Sequence, residues 1–178
     1  MSVSLVKPSL AELRLLIGAT SQTPRPRQPF SLYPAGFFLG SFVELSGSQR
    51  TEFAALFLKE NPQLSVAWIE ETISINPYAL KQKGVCVESI LFIEGKKDIL
   101  WSLNQVLSSG CFQVVVAENS GFNEKDFRRF QLLSEKTLNH FFLLSPSPST
   151  SWVPHLQLHV RKSDTQWDIE TRRMRGLG

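Results

Sequence analysis

Cysteine is scarce, charge is nearly balanced and no apolar run is long, and each shortage closes off a class of protein. The 178 residues include two cysteines, Cys86 and Cys111. Two thiols support neither a disulfide framework nor a cysteine-built zinc cluster, and both sit in stretches that read as buried core, so a reducing, cytoplasmic setting is expected. Nothing approaches the roughly 18 uninterrupted apolar residues of a membrane-crossing helix, so no membrane partner is expected. The apolar stretch LAELRLLIGA near the start is short, is interrupted by Glu12 and Arg14, and follows no charged leader, which argues against a signal peptide. A formal net charge of +3 and a pI near 9.0 are too mild to choose between nucleic-acid and acidic protein partners. His140, His155 and His159 fall in or beside predicted strands without ligand spacing. They are expected as surface positions on edge strands, and no metal or other cofactor is expected.

What is present is a 42% hydrophobic chain long enough for one well-buried domain. Residues 9–17 place Leu10, Leu13, Leu16 and Ile17 at helical spacing, with Ser9 as N-cap and Glu12 completing a capping box. Four prolines between residues 19 and 36 then argue for an extended connector. The expected division is residues 1–36 as helix and proline-rich linker, and 37–178 as the folded domain. So short a helix is marginal alone and must dock on its own domain or on another subunit, which makes self-association through it an expectation.

From residue 40 strands and helices alternate. SFVELS, LSVAWIE, SILFIEG, FQVVVAEN and HFFLLS read as strands, the FQVVVAEN run apolar enough to be covered on both faces. TEFAALFLKEN, PYALKQKG, KDILWSLNQVLSSG and EKDFRRFQLLSEKTLN read as helices, the third with Ile99, Leu103, Val106 and Leu107 inward. Trp68 and Trp101 are expected in the core, and Trp152 and Trp167 on the hairpin formed by HLQLHVRKSDTQWDIETRRMR. The fold class is α/β, with a mostly parallel central sheet, helices on both faces and a C-terminal antiparallel hairpin.

Residues 43–58, VELSGSQRTEFAALFL, run from strand through a Gly-Ser turn into helix, the layout of a phosphate-binding loop. Such a loop, G-x-x-x-x-G-K-[ST], needs enough residues to curl several backbone N–H groups around phosphate. Between Gly47 and Arg50 there are too few, so the plain expectation is a turn with Arg50 exposed. Arg128, Arg129, Arg161, Lys162, Arg172, Arg173 and Arg175 concentrate positive charge and are candidates for contact with an acidic protein or, weakly, nucleic acid.

The stretches WIEETISINPYALKQKGV and EGKKDILWSLNQVLSSGCFQVVVAENS resemble the core of the RecA recombinases. FRRFQLLSEKTLNHFFLLS and SWVPHLQLHVRK with WDIETRRMRG are similar to ImuA, a RecA-like accessory factor of damage-induced mutagenesis, and to its relative SulA, a cell-division inhibitor. The resemblance covers roughly residues 30–176 and implies a RecA-like three-layer fold. It places Arg50 and Thr51 at the Lys-Thr of the phosphate loop, Thr72 at the catalytic glutamate and Glu118 at the metal-supporting aspartate. Ser145-Pro146 lies near the glutamine that couples nucleotide state to DNA. The two DNA-binding loops correspond to the short segments SGFNEKD and SPSPSTS. A hydroxyl at Thr72 is a poor general base. The resemblance therefore implies a non-enzymatic module in which Gly47, Arg50, Thr51, Thr72 and Glu118 mark a degenerate nucleotide site. Its expected partner is a Y-family polymerase subunit or RecA, with the tubulin-like division GTPase as the alternative and an active DNA-dependent ATPase as a third possibility.

Overall fold

A computed structural model describes residues 26–164 and 166–175. The helix expected over residues 9–17, with Leu10, Leu13, Leu16 and Ile17, lies outside the described residues. Two short strands come first, β1 (Arg27–Gln28) and β2 (Phe37–Phe38), paired antiparallel. The second half of the expected connector is thus part of the folded body. Its apolar side chains explain this: Phe30 is buried with ring centroids 5.0 Å from Phe53 and 5.5 Å from Phe57, and Tyr33 stacks on Phe37 at 5.2 Å.

The remaining elements are β3 (Phe42–Ser46), α1 (Arg50–Glu60), β4 (Val66–Glu70), α2 (Pro77–Gln82), β5 (Ile90–Glu94), α3 (Ile99–Ser109), β6 (Val114–Glu118), α4 (Glu124–Thr137), β7 (His140–Leu144), β8 (Leu156–Ser163) and β9 (Gln166–Met174). Seven strands form one sheet in the order β5-β4-β6-β7-β3-β8-β9. All neighbours are parallel except the hairpin β8–β9. Alternate residues of the central strands feed two cores. Val43, Leu45, Val114 and Val116 pack with Phe53 and Phe57 of α1 and Leu80 of α2. Phe42, Val115, Ala117 and Phe141 pack with Leu103 and Leu107 of α3 and Phe127 and Phe130 of α4. The molecule is a mixed α/β protein with a mostly parallel sheet between two helical layers. Among the described residues no helix is long and apolar enough to cross a membrane.

Local chemistry sets the helix ends. Asn76 Oδ1 accepts from Tyr78 N and Ala79 N, and Pro77 sits at the first turn of α2. Asn123 and Asp126 form a capping box on α4. In α3, Ile99, Leu103 and Leu107 are buried as expected and Val106 is half-buried. Trp101 is not in the core; it is 64% exposed. Two positions after Ile99 it lies roughly 200° round the helix from the apolar stripe, so it faces water. Cys111 is likewise exposed and Cys86 half-buried, both at element ends rather than in core segments.

The expectation of surface histidines is also overturned for His155 and His140. His155 is buried at the start of β8, which β9 covers. Its Nδ1 accepts from Phe42 N at 2.9 Å and its Nε2 faces Glu135 Oε1 at 2.8 Å, so it ties α4 to the sheet. His140 on β7 is 1% exposed between sheet and α1, with Ser41 Oγ 3.2 Å from Nδ1. Burial pushes its imidazole down from the ordinary 6.5 to about 4. The folded state therefore resists a proton that the unfolded chain accepts. Stability from this group is complete above pH 6.5 and is lost as pH falls towards 4, costing about 2 kcal/mol by pH 5. Urea titrations at pH 7 and pH 5 are expected to show this loss, and a His140→Asn variant is expected to reduce the slope.

Candidate functional site

Parallel strands place their C-terminal ends along one edge, where ligands of open α/β sheets gather. That edge holds the β3–α1 turn, the bend after β4, the end of β6 and the segment after β7. In the turn, Gly47 adopts φ +95° and presses on β8: a Cβ built there would stand 2.3 Å from the Val160 carbonyl oxygen. Two of the amides that follow Gly47 are bonded within the protein. Gln49 N donates to Val160 O at 3.3 Å and Arg50 N to Gly47 O at 3.5 Å. Arg50 is half-buried rather than exposed, because its Nη1 folds back to donate to Gly47 O at 3.2 Å. With no residues to arch outward, the turn lies flat against the neighbouring strand.

Beside it, between α1 and α2, is a cleft of about 250 Å³ lined by Thr51, Glu52, Ala55, Asn76, Ala79 and Lys83. Glu52 lies 3.3 Å from Lys83 Nζ and 3.9 Å from Lys162 Nζ. The carboxylate among these ammonium groups offsets the positive field that would draw phosphate in.

Thr72 lies exposed on the bend after β4. The buried acid there is its neighbour Glu70, which accepts from Trp68 Nε1 at 2.9 Å, from Ile75 N at 3.2 Å and from Ser74 N. This carboxylate shapes the β4–α2 connection. Glu118 ends the adjacent strand half-buried. The structure thus gathers Gly47, Arg50 and Thr51 at the β3–α1 junction and sets Thr72 and Glu118 at two other strand ends. Among the described residues no group of three or more His, Cys, Asp or Glu could hold a metal ion.

A highly connected polar group near this edge is Glu44, in the middle of β3. By alternation it shares the face of Phe42, under α3 and α4, and it is 1% exposed. It accepts from Ser145 Oγ at 2.7 Å, Ser149 Oγ at 2.7 Å, Ser149 N at 3.2 Å and Gln157 Nε2 at 2.7 Å. Asn119 Nδ2 extends the chain by donating to Ser145 Oγ at 3.1 Å. The whole SPSPSTS segment is thereby tied to the sheet. Sequence reasoning passed over Glu44; an acid inside the apolar strand SFVELS was the signal, because a buried charge demands donors.

The basic candidates are largely engaged within the chain. Arg128 Nη1 donates to Gln131 Oε1 at 2.6 Å, Arg161 pairs with Asp168 at 3.0 Å and Arg173 Nη1 donates to Ser151 O at 3.0 Å. Arg129 is exposed on α4. Arg172 lies 3.4 Å from Glu170, and the Arg175 guanidinium sits 4.7 Å from the Trp152 ring centre.

No protein-family model matches this chain, and no curated protein matches it either.

Proposed function

We propose that the chain is a RecA-like α/β module that has lost its nucleotide cradle and acts through protein contacts. Its role in this reading is that of an ImuA-like accessory factor in damage-induced translesion synthesis, engaging a Y-family polymerase subunit or RecA. The observation that carries the reading is the closed β3–α1 turn, where Gly47 abuts Val160 and the Gln49 and Arg50 amides are bonded within the protein. Two further features support it. Asn119 Oδ1 accepts from Gly121 N at 3.1 Å and Phe122 N at 3.3 Å, which tightens the first short loop. Glu44 tethers the second. Neither segment is left as a long basic loop suited to gripping a phosphate backbone.

Two measurements test the reading. Calorimetric titration with Mg-ATP at millimolar concentration is expected to show no saturable heat, and Arg50→Ala is expected to leave that result unchanged. Saturable binding abolished by Arg50→Ala would reinstate a nucleotide site. In cells, deletion is expected to abolish damage-induced mutation. Normal induced mutation, together with filamentous growth on overexpression, would instead assign the division-inhibitor role.

A further inference from the structure

β9 forms the outer edge of the sheet, and it changes face part-way along. Trp167 and Ile169 pack into the core layer of α1. Strict alternation would send Thr171, Arg173 and Arg175 the same way. The pairing slips, however: Leu158 lies opposite Thr171 and Gln157 opposite Arg173, leaving Arg172 as an extra residue. One inserted residue reverses the parity of everything after it. Arg173 therefore emerges on the opposite face, beside Ser151, and Arg175 stacks on Trp152.

The bulge thus assembles a patch. Trp152 is 59% exposed. Among the described residues Arg173 and Arg175 form no ion pair, and the Arg172–Glu170 pair is solvent-exposed and weak. Arg175 is half-buried, its Nη1 is shielded from solvent, and that atom has no hydrogen-bond partner among the described residues. A tryptophan steadied by a guanidinium is a preformed apolar anchor, and tryptophan and arginine dominate binding hot spots. The outer side of an edge strand also presents backbone N–H and C=O groups to a second chain.

We propose that Trp152, Arg172, Arg173 and Arg175 form a docking surface for an acidic, extended segment of a partner protein. Its carboxylates meet the guanidinium groups and an apolar side chain covers Trp152. The proposal rests on the protein-contact reading above. Charge selects an acidic occupant, and a protein suits the patch better than single-stranded nucleic acid. The patch has one exposed aromatic ring where stacking of successive bases needs several.

The test uses the full chain and a labelled synthetic peptide of alternating Asp, Glu and Leu, followed by fluorescence anisotropy, with oligothymidylate of equal charge as comparator. The peptide is expected to bind. Its affinity is expected to fall about tenfold or more in Trp152→Ala and in Arg175→Gln. Oligothymidylate is expected to bind more weakly and to ignore Trp152→Ala. Thermal melting checks that both variants fold; should Arg175→Gln melt early, exposed Trp152→Ala decides alone. No peptide binding, equal binding by both variants, or loss of oligothymidylate binding alone in Trp152→Ala would overturn the proposal. These outcomes are separate from the Mg-ATP titration, so a failed patch and a failed protein-contact reading are told apart.

Discussion

Glu44→Ala is expected to cost about 3–5 kcal/mol of folding stability, the range reserved for loss of a buried hydrogen-bonded network. Alanine removes the shared acceptor of Ser145 Oγ, Ser149 Oγ, Ser149 N and Gln157 Nε2 and leaves these donors facing a void. It also frees the segment 145–151 from the sheet, so cleavage there by a nonspecific protease is expected to accelerate. Glu44→Gln should lose less, about 2 kcal/mol, because one oxygen still accepts while the new amide nitrogen opposes a donor. Urea denaturation measures both. A loss under about 1 kcal/mol for the alanine variant would show that Glu44 is not the tether described here.

Gly47→Ala should be comparably damaging, with a loss of about 3 kcal/mol or more. Two costs combine. At φ +95° an L side chain is strained, and the added Cβ would lie 2.3 Å from Val160 O, well inside contact distance. Since Val160 belongs to β8, relief requires the turn to lift off the sheet and break the bond from Gln49 N. Gly121→Ala is the control: φ there is +84°, yet nothing stands within 4 Å of the new Cβ. Only the conformational term remains, roughly 1–2 kcal/mol. If both substitutions cost the same, the close approach to Val160 carries no weight and the account of the closed turn fails.

These residues also show where the reading of the sequence succeeds. VVVAE on β6, FVELS on β3 and the Ile99–Leu103–Leu107 stripe on α3 fix element type, because strand and helix periodicities are local properties of the backbone. Asn76-Pro77 marks a helix start for an equally local reason. The parallel sheet follows, since strands separated by helices need crossovers. Trp101 was legible too: it lies off its helix's stripe, and hydrophobicity alone misplaced it. The shortness of the turn after Gly47 was legible too, as a matter of simple reach.

Other features depend on partners far along the chain. Whether Glu44 is a satisfied core acid or a surface residue turns on Ser145 and Gln157, which lie 101 and 113 positions away. His155 is buried because Phe42 N, 113 residues distant, needs an acceptor. The arginines after Thr171 change face because one residue in β9 has no opposite number in β8. By itself the sequence determined the strands and helices from residue 40 onward and the shortness of the turn after Gly47, all set by backbone geometry over a few residues. Only the tertiary structure decided which polar groups are buried together and which arginines stand beside Trp152, because burial and strand register are properties of chain segments that meet only after folding.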